Sequence, residues 1–354
     1  MIMHNLPLEN KPITSKRAGG WPTVASVLFG VVGVIFALLW PTVRNLQHST
    51  GFPIQWPFVS FILLLLGSAT WLLVKARKRH SRRSLVMTIG VTLVVGLLLF
   101  ESTIYLAHER VIFMQPKLSE NGREYVKNVF QNVEEISIET NDQIALKGWI
   151  IRNAIEDKAP LMIYFAGNND NVPPIFLTQL TGLNIAFVNY RGYGLSEGTP
   201  SEFKIKEDSL TFYDTLVQNE HVDNGQIIIA GRSLGSGVAT YLASNRAAKA
   251  VILISPYDSM SRVVHDMLPM YPQVLSNTHF DSYRLAPAIS APVLSFIAEQ
   301  DTTVIPERSE SLLKQWAGDK HTVYVPGANH NSIMSYPIIV EETIKFLDGV
   351  LARN

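Results

Sequence analysis

The pattern of apolar and polar positions divides the chain into two parts. Three long apolar stretches lie in its first third, at about residues 21–43, 56–74 and 85–106. Each is close to the ~20 residues that a membrane-spanning helix needs. None of them has the polar face of a helix in a soluble bundle, and tryptophans near their ends suit a membrane–water interface. The pattern therefore predicts a membrane domain of three transmembrane helices over residues 1–107.

The second part begins with a stretch of mixed polarity. Residues 108–132 combine polar and apolar positions, and we interpret them as a connector. The segments 133–140 and 144–151 then alternate polar and apolar positions on either side of Asn141-Asp142. Alternation around a turn of this kind indicates a β-hairpin, with which the predicted folded domain begins.

From Leu161 to the C-terminus, short apolar runs alternate with helix-like segments. This order is typical of a mostly parallel sheet with helices on both faces, so residues 133–354 are predicted to form an α/β domain. Residues 259–291 lie between the sixth and seventh predicted strands and form a small cap. Five residues of this cap either line a groove for an acyl chain or pack against the domain: Met260, Met267, Met270, Tyr271 and Leu275.

Charge follows the same division. The chain holds 30 Lys and Arg and 30 Asp and Glu, but residues 1–107 carry ten of the basic and two of the acidic residues. The α/β domain is therefore acidic, which argues against nucleic acid as a partner. The basic residues concentrate in the N-terminal tail and in the loop 75–83, so both segments are expected in the cytoplasm. Three spans then place the α/β domain on the periplasmic or other extracytoplasmic side.

The candidate chemistry centres on Gly231-Arg232-Ser233-Leu234-Gly235. This motif follows the apolar run 226–230 and precedes a helix-like stretch, so Ser233 is predicted to lie at a sharp strand-to-helix turn. A serine hydroxyl becomes a nucleophile when a base lies within hydrogen-bond reach and a carboxylate orients that base. Asp301 and His330 each follow a later predicted strand, so they can supply the carboxylate and the base.

A second carboxylate competes for the acidic role. Asp258 follows the apolar run 251–254 and therefore also lies at the carboxyl end of a predicted strand. We favour Asp301 because Val304-Ile305-Pro306 follows it and is typical of the entry to the next helix in this layout. His321 begins the last predicted strand, at the end of the sheet away from Ser233, and is interpreted as a surface histidine.

Acyl transfer also needs N–H donors for an oxyanion. The backbone N–H of Leu234 is one candidate, because it begins the predicted helix after Ser233. Asn168 is the second, in the loop Ala166-Gly167-Asn168-Asn169 after the apolar run 161–165. The other interpretation of this loop is an ordinary turn, since Gly-Asn is common in turns.

The glycine-rich stretch 189–198 could be mistaken for a dinucleotide-binding fingerprint. Its glycine spacing is wrong and no helix-like segment begins at the glycines, so we interpret it as a structural loop beside the site.

In their order, these motifs resemble those of the α/β-hydrolase superfamily, and within it the membrane-anchored α/β-hydrolase-domain serine hydrolases. The likeness covers about two thirds of the chain and rests on residues 164–168, 190–194 with Ser196 and Gly198, 231–237, Asp301 and 327–330. The resemblance implies an α/β-hydrolase fold and hydrolysis of a carboxylic ester or thioester through an acyl-enzyme, without metal or organic cofactor. One position departs from the family, because Ala166 stands where a histidine is usual.

The leading hypothesis is a membrane-anchored serine hydrolase that acts on lipophilic acyl substrates. In this hypothesis Ser233 is the nucleophile, His330 the base and Asp301 the residue that orients the base. Two alternatives stay open: a serine peptidase of the prolyl oligopeptidase type, and a non-catalytic membrane scaffold whose hydrolase-like domain binds a partner.

Overall fold

The computed structural model describes residues 112–130, 132–152, 158–269 and 271–352, together with isolated positions between residues 67 and 98. No helix among these residues has the length and apolar character needed to cross a bilayer. Apart from the isolated positions, the three predicted spans at about 21–43, 56–74 and 85–106 lie outside the described residues.

Within the described residues, eight strands form one sheet in the spatial order β1-β2-β4-β3-β5-β6-β7-β8. β2 is antiparallel to both of its neighbours, and the strands from β4 to β8 run parallel. The strands are Val133–Glu139 (β1), Ala145–Arg152 (β2), Ala159–Phe165 (β3), Asn184–Val188 (β4), Val222–Arg232 (β5), Ala250–Ile254 (β6), Val293–Ala298 (β7) and Lys320–Val325 (β8).

Helices alternate with the parallel strands along the chain. They are Glu120–Val129 (α1), Glu202–Leu216 (α2), Leu234–Asn245 (α3), Met260–Met267 (α4), Ser282–Leu285 (α5), Pro306–Gln315 (α6) and Ile338–Leu351 (α7). Short 3-10 turns occur at Ile175–Gln179, Gln273–Leu275, Ala286–Ala288 and Ile333–Ser335.

Side chains alternate along each strand, so every strand contributes residues to both faces of the sheet. Helices cover both faces, and the sheet is therefore buried on both sides. In β3, Leu161 and Ile163 join a core with residues of α2, α3 and α6. Met162 and Tyr164 point to the opposite face and join a second core with residues of α1 and α7. The predicted mostly parallel sheet with helices on both faces is therefore confirmed.

The antiparallel hairpin lies where the alternating pattern predicts it. β1 and β2 pair in continuous register from Val133↔Ile151 to Glu139↔Ala145. The turn is closed by the N–H of Thr140, which donates to the carbonyl of Ile144 at 3.0 Å.

Residues 112–130, which the sequence analysis assigns to a connector, are packed into the folded domain. Ile112 and Phe113 are buried in the core on the α2 side, and Val126 and Phe130 are buried in the core on the α1 side. The connector interpretation misses this packing because α1 is a short amphipathic helix that buries only Val126 fully. The folded domain therefore begins at least 21 residues before position 133, at Ile112.

Candidate active site

Ser233 lies at a strained turn between β5 and α3. Its backbone has φ 49° and ψ −119°, a left-handed region that residues other than glycine rarely occupy. The N–H of Ser233 donates to the carbonyl of Ile254 at 2.9 Å, which ties the turn to the end of β6. Strain of this kind is retained where the surrounding structure enforces it, often at functional positions.

The glycines beside Ser233 allow the backbone to pack closely. A Cβ on Gly235 would lie 2.1 Å from the carbonyl oxygen of Phe165, and a Cβ on Gly231 would lie 2.2 Å from the carbonyl oxygen of Gly235. Neither neighbour is a flexible side chain. Gly235 therefore allows the first turn of α3 to pack against the end of β3, and Gly231 allows β5 to pack against the same turn.

The three residues of the predicted triad lie within hydrogen-bond distance of one another. Ser233 Oγ is 2.9 Å from His330 Nε2, and His330 Nδ1 is 2.7 Å from Asp301 Oδ2. Each follows or ends a parallel strand: β5, β7 and β8 for Ser233, Asp301 and His330. Because parallel strands share a carboxyl edge, residues far apart in the chain meet there.

Two backbone groups hold the Asp301 carboxylate in place. The N–H groups of Thr303 and Val304 donate to its Oδ1 at 2.9 and 2.8 Å. This leaves Oδ2 directed at the imidazole of His330. The Asp301 side chain is 1% exposed, so water does not compete for either oxygen.

The alternative carboxylate has different partners. Asp258 is fully buried, and its Oδ2 accepts a hydrogen bond from Arg262 at 2.6 Å and lies 3.6 Å from Arg308. Arg308 also binds both carboxylate oxygens of Asp266, on α4. Asp258 therefore contributes to an ion-pair network that joins α4 to α6, while Asp301 contacts the histidine.

The loop after β3 brings Asn168 to the same edge. Asn168 Oδ1 accepts hydrogen bonds from the Met114 N–H at 3.0 Å and from the Tyr193 hydroxyl at 2.9 Å. The carbonyl of Ala166, one position before Gly167, accepts from the Tyr190 hydroxyl at 2.8 Å. The side-chain oxygen of Asn168 is thus engaged in two hydrogen bonds. The backbone N–H of Asn168 is therefore the candidate oxyanion donor.

Both tyrosines act as neutral donors. Burial raises the pKa of the Tyr190 and Tyr193 phenols above the ordinary value, so neither ionises near neutral pH. Sequence reasoning assigned no role to these residues, which lie in the loop 189–198. Both tyrosine hydroxyls therefore remain hydrogen-bond donors near neutral pH.

A cavity of about 140 Å³ adjoins Ser233 and His330. Asn168 and Leu234, the two predicted oxyanion donors, lie on its wall together with Ser233. The remaining surface is largely apolar. It comes from the segment before α1, from α4 and from the residue after α4: Ile112, Met114, Met260, Val263, Val264, Met267 and Leu268.

The cavity resolves part of the open question about the cap. Met260 and Met267 lie on its wall. Tyr271 is buried and its hydroxyl donates to the carbonyl of Leu275 at 2.8 Å, and neither residue lies on the cavity wall. Met270 lies outside the described residues. The contribution of Ile112 and Met114 could not be read from their positions in an apparent connector.

Arg232, the second residue of the serine motif, connects two loops of the site. Its Nη1 donates to Asp170 Oδ2 at 2.9 Å, and its Nη2 donates to the carbonyl oxygen of His330 at 2.9 Å. The same Asp170 oxygen accepts from the N–H of Gly167 at 2.9 Å. The motif gave no sign of this contact, because many residue types can stand between the glycine and the serine.

The glycine-rich loop 189–198 uses backbone N–H groups in hydrogen bonds within the folded domain. The N–H of Gly192 donates to Glu197 and the N–H of Gly194 donates to Pro116, each at 2.8 Å. Arg191 is buried and binds the carboxylate of Asp208 through two hydrogen bonds. The N–H groups of Gly192 and Gly194 are therefore engaged in hydrogen bonds within the domain. In the described part of the chain, no group of three His, Asp or Glu residues is placed to hold a metal ion.

Several proteins are similar to this chain in sequence, although no protein-family model matches it. An uncharacterized protein of Mycobacterium tuberculosis is 31% identical over 202 residues, which is 56% of this chain and 72% of the relative. The α/β hydrolase domain-containing protein WAV2 of Arabidopsis thaliana is 29% identical over 159 residues, 43% of this chain and 52% of the relative. An uncharacterized membrane protein of Saccharomyces cerevisiae is 28% identical over 180 residues, 48% of this chain and 62% of the relative.

Solved structures share the fold at lower identity. Est1E from Butyrivibrio proteoclasticus, solved with ferulic acid bound, superposes with a TM-score of 0.53 at 19% identity, over 62% of this chain and 100% of the other. An acetyl xylan esterase from Paenibacillus sp. R4 superposes with a TM-score of 0.52 at 17% identity, over 69% of this chain and 99% of the other. At these identities the likeness shows the fold alone.

The close approach at Gly235 predicts a large effect of one methyl group. Gly235→Ala should lower the free energy of unfolding by about 3 kcal/mol or more, since the new Cβ meets backbone rather than a movable side chain. Gly349→Ala, in α7, is the matched control: nothing lies within 4 Å of its Cβ. It should leave stability unchanged or raise it by about 1 kcal/mol. Chemical denaturation of both variants in detergent measures the difference, and equal stabilities would contradict the predicted contact.

Proposed function

We propose that the chain, which has the α/β-hydrolase fold, is a serine hydrolase of carboxylic esters or thioesters that works through an acyl-enzyme. The observation that carries the proposal is the continuous hydrogen-bonded chain from Ser233 through His330 to Asp301. Nucleophile, base and orienting carboxylate are already at the distances that the chemistry needs.

The first half of the reaction follows from this geometry. His330 Nε2 takes the proton from Ser233 Oγ as the oxygen attacks the acyl carbonyl carbon. The Asp301 carboxylate accepts from Nδ1–H, which selects the productive tautomer and stabilises the imidazolium that forms. The negative charge on the former carbonyl oxygen is held by the N–H groups of Leu234 and Asn168. Leu234 is the first residue of α3, where backbone N–H groups have no partner within the helix.

The second half regenerates the enzyme. The imidazolium of His330 gives its proton to the departing alkoxide or thiolate, and the acyl group stays on Ser233. A water molecule then loses a proton to His330 and attacks the acyl carbon. Collapse of this second intermediate releases the carboxylic acid and returns the proton to Ser233 Oγ.

We propose that the acyl group of the substrate is lipophilic. The wall of the cavity beyond Ser233 is built largely from aliphatic and methionine side chains, which favour an acyl chain by removing its apolar surface from water. The methionines add a surface that can adapt to chains of different shape.

We further propose that the protein is anchored in a membrane through residues 1–107, with the hydrolase domain outside the cytoplasm. The three apolar stretches of this segment and the basic loop 75–83 support the proposal. A relative described as a membrane protein points the same way. An anchored enzyme meets lipophilic substrates at a high effective concentration at the bilayer surface.

The catalytic assignment predicts a sharp contrast between two buried aspartates. Ser233→Ala should abolish labelling by a fluorophosphonate probe, and Asp301→Asn should lower kcat by about 10⁴-fold because the imidazole loses its tautomer control. Asp258→Asn is the matched control. It alters a carboxylate that binds Arg262 and Arg308, so kcat should stay within about tenfold of the wild type.

Labelling kinetics and ester turnover of the purified, detergent-solubilised protein provide both measurements. Undiminished labelling of Ser233→Ala would refute the nucleophile. A larger loss of kcat in Asp258→Asn than in Asp301→Asn would exchange the two acids.

The proposed acyl pocket predicts a change in chain-length preference. Val264→Phe places a larger side chain on the cavity wall, so kcat/KM for p-nitrophenyl octanoate should fall at least about tenfold relative to the acetate. Val274→Phe introduces the same change at a position that is 87% exposed and should alter neither ester. If the acetate and the octanoate lose the same fraction of kcat/KM in Val264→Phe, the acyl chain does not occupy this cavity.

The proposed topology predicts which segments a protease can reach. In sealed right-side-out vesicles, added protease should digest the domain after residue 107 and spare the loop 75–83. Epitope tags in each segment report the two outcomes, and vesicles opened with detergent control for intrinsic resistance. Protection of the hydrolase domain together with digestion of the basic loop would invert the orientation.

A further inference from the structure

Two loops that must act together meet at one side chain. The loop 167–170 follows β3 and carries Asn168, while the loop after β8 carries His330. In the sheet, β3 is next to β5 on one side, and β8 is three strands away on the other side. Arg232 ends β5 and reaches both loops, donating to Asp170 Oδ2 and to the carbonyl oxygen of His330, each at 2.9 Å.

The contact is shielded from water on the arginine side and partly exposed on the aspartate side. The Arg232 side chain is 11% exposed, and Asp170 is 34% exposed. Hydrogen bonds between ionised partners are about twice as strong as neutral ones, and shielding from water strengthens them further. Arginine suits this position because its planar fork can serve two acceptors in fixed directions, which the ammonium of lysine cannot do.

The ion pair also fixes the shape of the oxyanion loop. Asp170 Oδ2 accepts from the Gly167 N–H as well as from Arg232, so the turn and the ion pair share one oxygen. A Cβ at Gly167 would lie 2.8 Å from Arg232 Nη1 and 2.9 Å from Asp170 Oδ2. The guanidinium and the carboxylate thus lie directly over the residue that precedes Asn168.

We propose that Arg232 and Asp170 form a clamp that positions the Asn168 N–H and the imidazole of His330 relative to Ser233. This inference rests on the proposed function. Neither residue takes part in proton transfer. Arg232 acts through the backbone of His330 and, with Asp170, through the backbone of the loop 167–170.

The clamp matters most when charge develops on the substrate. An oxyanion donor interacts with the transition state much more strongly than with the bound ester. Displacing the Asn168 N–H by a fraction of an ångström therefore lowers kcat and leaves KM nearly unchanged. A residue that merely supports the fold would lower the amount or the stability of folded protein and leave the kcat of the folded fraction intact.

The test is a set of substitutions assayed with a short soluble ester. Arg232→Met keeps the unbranched apolar stem of the side chain and removes both donors, so kcat should fall about 100-fold with KM within about threefold. Arg232→Lys can serve one acceptor at a time and should recover part of this loss. Asp170→Asn should lower kcat about tenfold. The double variant Arg232→Met/Asp170→Asn should be no slower than Arg232→Met alone, because Arg232→Met already removes the ion pair that Asp170→Asn weakens.

The pair Arg246–Asp214 is a matched control within the same chain. Arg246 Nε and Nη2 donate to the two carboxylate oxygens of Asp214, each at 2.7 Å, and neither residue lies on the cavity wall. Arg246→Met and Asp214→Asn should therefore leave kcat and KM within about twofold of the wild type.

Hydrogen–deuterium exchange gives a readout that does not depend on turnover. In Arg232→Met, peptides that cover residues 166–170 and 326–332 should both exchange faster, and peptides from α7 should not. Unchanged exchange in both loops, or a kcat of Arg232→Met within threefold of the wild type, would overturn the clamp. If the wild type hydrolyses no ester while both loops loosen in Arg232→Met, the proposed function fails and the clamp remains as a structural link. If Arg232→Met does not fold, Arg232→Lys and Asp170→Asn decide by the same criteria.

Discussion

The architecture of the active site depends on the left-handed backbone of Ser233. With φ at 49°, the chain reverses within one residue from β5 into α3, which exposes the hydroxyl above the sheet edge. This reversal requires the first turn of α3 to press against the end of β3, where only a hydrogen fits at Gly235. The same contact brings the loop after β3, and so Asn168, beside Ser233. One backbone constraint therefore sets the position of both the nucleophile and its oxyanion loop.

The parallel register accounts for the rest of the constellation. β5, β7 and β8 end at one edge, so Asp301 and His330 reach Ser233 although they are distant in sequence. The sequence predicts these three residues together because each follows an apolar run, and strand ends are visible in a period-two or fully apolar pattern. The hairpin β1–β2 was equally accessible, since its alternation and its turn residues are local signals.

Hydrogen bonds between polar groups that lie far apart in sequence could not be predicted. Met114 supports Asn168 across 54 positions, and Arg232 reaches His330 across 98. Neither contact leaves a periodic pattern. Where the superfamily usually has a histidine, Ala166 is small, and Tyr190 and Tyr193 hold the loop from the neighbouring glycine-rich segment. The segment 112–130 resembles a connector for a related reason, since its few buried positions are spread over a short helix and a stretch without regular secondary structure.

The order in which the site is synthesised has its own consequence. His330 follows Ser233 by 97 residues, so at about 5 to 20 residues per second the base emerges roughly 5 to 20 seconds after the nucleophile. During this interval the growing chain holds Ser233 and the loop after β3 without the imidazole that activates the hydroxyl in the proposed mechanism. The backbone carbonyl that Arg232 binds also belongs to His330, so this contact becomes possible at the same time. If the proposed function holds, the order of synthesis keeps the nascent chain inactive until β8 has joined the sheet.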